Sequence, residues 1–451
     1  MLRLFLGFAI CGLLLFMAGP ARGGEAPATL EDLAKENATL KKEIQDLRKL
    51  VEERLKPQEG VPVEEEKTLR QEIDELKKAL PANKFPMLSS LKVELYGFIK
   101  LDASYDTAHV RPGNYAYWVD SEATNKHDNE FNMTANETRL GLSISGPQVG
   151  EAMTSGRFEM DFYGGGPENK SNPMLRLAYV KLDWPDYDFS VLAGQNWDII
   201  SPLAPSSINY IVNGFAGNIG YRRPQVRVSQ AIEVNETSKV LFEGGLFRTI
   251  GDVPYTGGKD SGEDSGFPTL QGRMAITCPV LTEKPTTIGF SGHWGREEYD
   301  IPPGTTGDDV VFNTWSGNVD LTMPIAGPLS IRGEGYMGEN LDSYVGGIGY
   351  GVNPAAGREI GVKGGWMCVS IVPNQSWEFN VGSGFEDNDK NDMVGMSASS
   401  RTRNRNFFGN VLYNISKAAQ VGVELSQWKT DYKGTAPGRA VRVESAIKYK
   451  F

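Results

Sequence analysis

The sequence predicts an all-β transmembrane barrel of 16 antiparallel strands, preceded by an α-helical coiled-coil segment. Three observations lead to this fold class. From residue 93 onward, polar and apolar residues alternate with a period of two, as in half-buried antiparallel strands. The connections between these segments alternate between short and long, and residues 25–84 instead follow a heptad pattern. The predicted boundaries are a signal peptide at 1–24, a coiled coil at 25–84, a linker at 85–92 and a barrel at 93–451.

The N-terminal segment has the features of a secretory signal. Arg3 supplies a positive charge, and residues 4–18 are apolar almost throughout. Ala21 and Gly23 place small residues where a signal peptidase cleaves, so we expect cleavage near Gly23 or Gly24. Beyond residue 24 no run of about 20 apolar residues follows, so the sequence predicts no transmembrane helix.

Residues 25–84 are dense in charge and helical in pattern. Apolar residues occupy the a and d positions of four heptads, with Asn37 in one core position, where an asparagine can fix the register. The pattern is interrupted at Pro57 and Pro62 and resumes at Leu69. A single solvated helix held by ion pairs four residues apart is the alternative. The regular apolar seam and the short length, which leaves an isolated helix marginal, favour a coiled coil.

Sixteen candidate strands follow residue 93. The connections 184–188, 235–238, 324–328 and 373–376 are short, whereas 107–136, 251–268, 338–356 and 386–400 are long and polar. Tight turns at one rim, long loops at the other and an even strand number are typical of a transmembrane β-barrel. An aqueous lumen needs roughly 16 to 18 strands. A β-sandwich is the alternative, but it gives no reason for the difference between the two rims.

The last strand supports barrel closure. Its alternation places Val441, Val443, Ile447, Tyr449 and Phe451 toward lipid and Arg442, Glu444, Lys448 and Lys450 toward the lumen. A barrel has no free edge in lipid, so this strand must pair with the first one.

Composition argues against several other classes of protein. The net charge of −11 is unlike that of a nucleic-acid-binding protein. The histidines at 109, 127 and 293 lie in no catalytic motif, so the sequence predicts no enzyme. The acidic segment 386–392 lacks the glycine and the closing glutamate of a calcium loop, so no metal site and no cofactor are expected.

Arginines dominate the predicted lumenal face. The period of each strand turns seven of them inward, whereas the strand of Arg176 is apolar on both faces and leaves its direction open. The predicted pore-lining residues are Arg139, Arg157, Arg176, Arg223, Arg227, Arg273, Arg332 and Arg442. Rings of arginine or lysine are typical of anion pores. The alternative is that these arginines only neutralise the inward acids Glu159, Asp161, Glu334 and Glu444.

The segment 199–222, after the fifth strand, is the least charged of the long loops. It contains Ile199, Tyr210 and Phe215, and its composition favours a loop folded into the barrel over one in water. We therefore predict that it narrows the channel.

Two cysteines remain after the signal peptide, and we expect no disulfide between them. Cys278 alternates with Met274 on the eighth strand, and Cys368 alternates with Trp366 on the twelfth, so both are predicted to face lipid. Strands lie roughly 4.8 Å apart, which separates the two far beyond the ~7 Å between Cα atoms that a disulfide allows.

Three short motifs, together with the charged N-terminal heptads, resemble the DcaP-like outer-membrane porins across the whole mature chain. The motifs are Leu95–Asp102 (LYGFIKLD), Ala193–Trp197 (AGQNW) and Arg222–Arg227 (RRPQVR). The resemblance implies a trimeric 16-stranded barrel, a coiled coil in the periplasm and a pore for small anions, including dicarboxylates. Of the basic residues at the family's constriction, the resemblance identifies counterparts only at Arg223 and Arg227, which match the motif. The heptads alone favour a dimer weakly; the barrel resemblance favours the trimer.

The predicted function is passive diffusion of small, mainly anionic solutes through the bacterial outer membrane. The expected partners are two further copies of the chain, outer-membrane lipids and the solutes themselves, with no nucleic acid. Two alternatives stay open. One is a tether that reaches the cell wall through the coiled coil; the other is a carbohydrate pore, which would need stacked aromatic residues in the lumen.

Overall fold

The computed structural model describes residues 91–124, 128–165, 171–251, 262–299 and 309–451. These residues form a closed antiparallel β-barrel whose short turns lie at one rim and whose long loops lie at the other. The predicted signal peptide and coiled coil fall outside the described residues and stay predictions. Among the described residues, no helix is both long and apolar enough to cross a membrane.

Seventeen strand segments make up the barrel wall. They are β1 Lys92–Asp106, β4 Glu130–Thr134, β5 Arg139–Ser145, β6 Met153–Asp161, β7 Met174–Trp184, β8 Phe189–Trp197, β9 Arg222–Asn235, β10 Ser238–Phe247, β11 Thr269–Pro279, β12 Pro285–Tyr299, β13 Val310–Ala326, β14 Leu329–Glu339, β17 Gly361–Ile371, β18 Trp377–Asn388, β19 Arg401–Asn414, β20 Ala419–Tyr432 and β21 Gly438–Lys450. Two hairpins in the loops account for β2 Val110–Pro112, β3 Ala116–Val119, β15 Val352–Asn353 and β16 Arg358–Glu359. Short 3₁₀ helices lie at Pro185–Tyr187, Asp342–Tyr344 and Gly347–Gly349.

The segments β4 and β5 are two halves of one barrel strand. Both pair with β1, β4 along Asp102–Asp106 and β5 along Lys92–Phe98. In the gap between them, the Thr138 hydroxyl accepts a hydrogen bond from the backbone N–H of Lys100 at 3.2 Å. Counted as one strand, they confirm the predicted number of 16.

The barrel closes between β1 and β21. Phe98 pairs with Lys450 and Asp106 with Arg442, and Gly97 and Phe451 exchange two backbone hydrogen bonds of 3.1 Å. The closing strand therefore has no free edge, as its alternation predicts.

The outer and inner walls follow the pleat. Along β21, Val443 and Ile447 are exposed on the outside, whereas Arg442 and Glu444 are buried inside. The outer surface is apolar over most strands, as a lipid-facing wall requires.

The cysteines remain unpaired, but Cys368 lies on the opposite face from the one predicted. Its side chain is fully buried inside the barrel with Trp366 and Phe408, and Leu203 packs against the three. The outward neighbour on the strand is Met367, which is 57% exposed. The strand is apolar on both faces because a lumenal loop covers its inner side, so alternation alone gives the wrong direction.

The long connection 107–136 is more ordered than its polar composition indicates. Its end is the strand β4, and its middle is the hairpin β2–β3, in which Val110 pairs with Val119. We call three long loops L1 (107–129), L3 (198–221) and L6 (340–360).

Candidate functional site in the barrel lumen

L3 crosses the lumen rather than extending from the rim. Its first residues lie against β11, where the Ile199 N–H donates to the Gln271 side chain at 3.0 Å. The loop then passes β14 and β20, and at its far side the Tyr210 hydroxyl donates to Asp161 on β6 at 2.7 Å. This course supports the predicted inward fold of the loop.

Two glutamates of the wall hold L3 by its donor groups. Glu334 accepts hydrogen bonds from the Leu203 N–H at 2.8 Å and from the Ser201 hydroxyl. Glu424 accepts from the Ser207 hydroxyl at 2.8 Å and from the Ile208 N–H at 2.9 Å. A loop inside a barrel has backbone donors with no strand partner, and a carboxylate satisfies two of them at once.

L1 lies in the lumen beside L3. The Asn209 amide of L3 exchanges hydrogen bonds of 2.7 and 3.1 Å with the backbone of Ala116 in L1. The Asn404 amide of β19 donates to backbone oxygens of both loops, Tyr117 at 2.6 Å and Phe215 at 2.9 Å. The two loops and the wall therefore form one packed unit.

Aromatic rings from three loops reinforce that unit. Their members are Tyr115, Tyr117, Trp118, Tyr163, Tyr210 and Phe215. Tyr115 meets Tyr117 edge to face at 5.0 Å, and Tyr117 meets Phe215 in the same way at 4.7 Å. Tyr210 and Phe215 are among the residues predicted for the inserted loop, whereas nothing in the sequence indicates the other four rings, because strand alternation carries no information about loops. Most of their contacts are edge to face, the geometry of a packed core, so the cluster's main effect is to fix L1 against L3.

Three of the predicted pore-lining arginines are enclosed and paired with acids. Arg223 is 0% exposed, contacts Asp198 at 2.9 Å and lies over the Tyr344 ring at 4.0 Å. Arg442 contacts Asp106 at 2.9 Å, and the buried Arg176 contacts Asp161 at 2.6 Å. The structure thus turns Arg176 inward, and it corrects the expectation that Arg223 and Arg442 line open water. These side chains brace the loops because a buried guanidinium needs an acid beside it.

The base of L3 depends on the pair Asp198–Arg223. Burial raises the pKa of the Asp198 carboxyl above its ordinary value, and the Arg223 guanidinium acts in the opposite direction. The same carboxylate accepts hydrogen bonds from the Gln271 amide at 2.6 Å and the Tyr221 N–H at 2.9 Å. The basic motif predicted to form a constriction therefore anchors the loop.

Arg227 is more open, whereas Arg273 is about as enclosed as Arg176, with 7% and 6% of their side chains exposed. Arg227 lies 3.9 Å from Glu243, and Arg273 bridges Glu243 at 3.5 Å and Asp320 at 2.8 Å. The Arg332 guanidinium donates to the Ser206 hydroxyl of L3.

Residues 207–212 of L3 are here called the L3 tip. Three cations lie on the wall at the short-turn side of this tip, and we call them the basic ladder: Lys448, Arg139 and Arg157. Lys448 and Arg139 lie over the ring of Phe98 at 4.7 and 5.1 Å, and Arg157 lies over the ring of Tyr96 at 5.1 Å. They come from β21, β5 and β6. Strand β1 lies between β21 and β5 and supplies both rings. Cation–π contact holds each charge against the wall while leaving its outer side free for an anion.

A small cavity connects the ladder with the tip of L3. It measures about 90 Å³ and is lined by Lys448, Lys100, Glu137 and L3 residues that include Tyr210. The Lys100 ammonium donates to the Ile208 carbonyl oxygen at 3.0 Å and also pairs with Glu137. The alternation of the sequence places Lys448 inward but does not connect it with Phe98 of the neighbouring strand β1, because their contact depends on strand register.

The side chain of His293 is held by hydroxyl groups at both ring nitrogens. His293 is buried and hydrogen-bonds to Ser316 at 2.7 Å and to Thr314 at 2.9 Å. Within the described ranges, no cluster of three His, Cys, Asp or Glu side chains could hold a metal ion.

Comparison with solved structures identifies the fold. The chain matches the outer-membrane channel DcaP of Acinetobacter baumannii with a TM-score of 0.65 and 20% sequence identity, covering 80% of this chain and 98% of that one. It matches an anion-selective porin from Comamonas acidovorans with a TM-score of 0.51 and 13% identity, covering 80% and 100% of the two chains. It matches OmpF of Salmonella typhi, solved with daunomycin, with a TM-score of 0.50 and 11% identity, covering 81% of this chain and 99% of that one.

No protein-family model and no curated protein matches the sequence. The solved structures and the strand order together show that the chain has the 16-stranded fold of the outer-membrane porins, with the DcaP channel among the proteins of similar structure.

Proposed function

We propose that the protein is an outer-membrane porin for passive diffusion of small, mainly anionic solutes such as dicarboxylates. The observation that carries this proposal is the basic ladder beside the L3 tip. A solute that passes the tip meets Lys448, Arg139 and Arg157 on one side of the lumen. Two other acids of the lumen, Glu334 and Glu424, are engaged by donor groups of L3.

Charge geometry favours an anion with two acidic groups. Lys448 and Arg139 both lie over the Phe98 ring, with their charged groups 4.7 and 5.1 Å from its centroid, so the two charges are at most about 10 Å apart. That span is close to the size of a small dicarboxylate. Arg157 lies farther along the wall, because through β5 it is level with Glu94 of β1, whereas Lys448 is level with Lys100. Arginine holds a carboxylate through two parallel N–H groups, whereas lysine acts as a point charge.

The ladder also has a partial counter-charge, which keeps binding weak. Arg139 lies 3.5 Å from Glu159, and the Tyr96 hydroxyl donates to the same carboxylate at 3.1 Å. A pore needs sites that attract the solute and then release it, so moderate neutralisation suits diffusion.

The proposed assembly is a homotrimer. Its support is a groove of about 530 Å³ on the outer wall at β5–β8, lined mainly by small and apolar side chains such as Gly156, Ala178, Ala193 and Val180. Small residues flatten a wall and let a second barrel approach closely. The proposal also includes a periplasmic location for the predicted coiled coil.

Planar-bilayer recording tests the function through a double variant, Arg157→Gln with Lys448→Gln. In a salt gradient the reversal potential should shift toward the value of a pore with a lower preference for anions. One cation within ~4 Å is worth about 1 kcal/mol in a water-like dielectric, so the Kd for current block by succinate should rise roughly fivefold or more.

The matched control removes two cations from the outer wall, Lys429→Gln with Arg439→Gln. These residues do not face the lumen, so the control should keep the reversal potential and the block of the unmodified protein. An unchanged reversal potential and block in the ladder variant would refute the anion proposal, and a barrel that inserts without conducting would favour the tether.

A further inference from the structure

Charged side chains cover the outer wall at the long-loop rim of β17–β20 and β21. On β18 and β19, Phe385 and Phe407 point outward with 46% and 56% of their surface exposed. Asp387 and Arg405 lie two residues nearer the long-loop rim on the same faces, so they also point outward. These charges therefore begin where the apolar outer band ends.

Strand register arranges the charges in two rows. In the upper row, Lys363 pairs with Asp387, Asp387 with Arg403, and Arg403 with Asp431. In the lower row, Arg405 pairs with Lys429 and Lys429 with Arg439. Neighbouring positions are roughly 4.8 Å apart, so the lower row places three cations side by side within about 10 Å.

Acids neutralise this surface only in part. Arg403 contacts Asp387 at 2.6 Å, and Asp431 is shared by Arg405 and Lys429, each at 3.1 Å. Five cations and two carboxylates leave a net charge of three positive across the two rows. Arg405 also has its Nε–H buried with no hydrogen-bond partner among the described residues.

The surface below the lower row is mainly apolar, although the polar Gln427 lies directly below Lys429, between Phe407 and Val441. Phe407, Leu425 and Val441 are 56%, 57% and 39% exposed, and each lies on the same face as a cation of the lower row. A ligand that covers both zones must combine a negatively charged head with hydrocarbon chains. Arginine and lysine near a membrane surface attract acidic headgroups, and the guanidinium fork matches phosphate oxygens.

We propose that Arg405, Lys429 and Arg439 form a binding site for an outer-leaflet lipid with a phosphorylated headgroup. The phosphate lies against the lower row, and the acyl chains run down the wall over Phe407 and Leu425. Arg403 and Lys363 extend the site upward, where a second phosphate of the same headgroup can reach them. The site lies outside the lumen and does not depend on the solute proposed above.

Native mass spectrometry of the folded, detergent-solubilised full chain tests the site. The probes are diphosphorylated lipid A, phosphatidylethanolamine as a zwitterionic lipid, and inorganic phosphate as a competitor. The unmodified protein should retain lipid A over phosphatidylethanolamine, and millimolar phosphate should not displace it. The triple variant Arg405→Gln, Lys429→Gln, Arg439→Gln should weaken lipid A binding at least tenfold, since each cation near the surface contributes roughly fivefold.

Two controls make the result specific. The variant Lys239→Gln, Lys284→Gln, Lys417→Gln removes the same charge at the short-turn rim, and it should bind lipid A as the unmodified protein does. The single variant Arg439→Gln, whose exposed side chain lies at the end of the row, gives a smaller loss if the triple variant folds poorly.

Equal lipid A binding by the triple variant and the unmodified protein would overturn the proposal. So would an equal loss in the short-turn control, because that result means adsorption by overall charge. Displacement by inorganic phosphate alone would mean that the rows bind free phosphate and not a lipid.

Discussion

Two parts of the inner wall treat charge in opposite ways. The wall under L3, at β14 and β20, presents Glu334 and Glu424 to the donor groups of the loop. The wall beside the L3 tip presents the basic ladder over the rings of Tyr96 and Phe98. The first part holds a loop in place, and the second leaves cations available to a solute.

The difference follows from what each part must satisfy. A loop inside the lumen brings backbone N–H groups that need acceptors, so carboxylates are favoured beneath it. The ladder has no such demand: aromatic rings hold its cations, and Glu159 neutralises only Arg139 in part. An inward carboxylate beneath L3 thus holds the loop, whereas the role that we propose for the inward cations of the ladder is contact with the solute.

The largest effect should come from an enclosed cation. Arg223→Ala leaves the buried Asp198 carboxylate without its counter-ion, and breaking a buried pair in this way costs about 3–5 kcal/mol. The midpoints of heat- and urea-induced unfolding, measured by tryptophan fluorescence, should therefore fall strongly. The matched control is Arg227→Ala, four residues along the same strand and face, where the open pair with Glu243 predicts a loss within about 1 kcal/mol. Equal shifts for the two variants would remove the distinction between enclosed and open arginines.

A smaller effect is expected under L3. In Glu424→Gln the amide cannot accept from both Ser207 and Ile208 as the carboxylate does, which costs about 1–3 kcal/mol. The released loop should give a larger and noisier open-channel current in single-channel records. Glu378→Gln is the control, because this lumenal glutamate contacts Asn380 and not L3. If both variants conduct like the unmodified protein, Glu424 does not set the channel width.

The smallest effect should come from the N-terminal segment. Deleting residues 25–84 removes the heptads but none of the period-two region, so a chain that starts near Pro86 after its signal should insert and conduct with unchanged conductance. Heat-modifiable migration on gels and single-channel conductance measure the two properties. A truncated chain that fails to fold would show that the segment takes part in assembly.

The wall of the barrel was predictable from the sequence because lipid imposes one rule on every strand. The strand number, the closure by β21 and most of the inward arginines follow from the period of two, but the direction of Arg176 does not. The rule fails at Cys368, where Leu203 of L3 makes the inner face apolar as well.

The lumen was predictable only in outline. The apolar residues of 199–222 indicate an inserted loop, but not that Arg223 would be enclosed by Asp198 and Tyr344. L1 was missed because the alternation of Tyr115–Val119 is too short to separate from a polar loop. Contacts of this kind depend on which distant segments meet, and composition carries no information about that.

The contacts that hold L3 also indicate the order in which parts of the barrel fold. Ser207 and its acceptor Glu424 are 217 positions apart in the chain, and Leu203 and Glu334 are 131 apart. Contacts between such distant positions form late, because the intervening chain must first be ordered. L3 therefore reaches its final position only after β20 has joined the wall, so in an assembly intermediate that lacks the last strands we expect this loop to be unattached at Glu424.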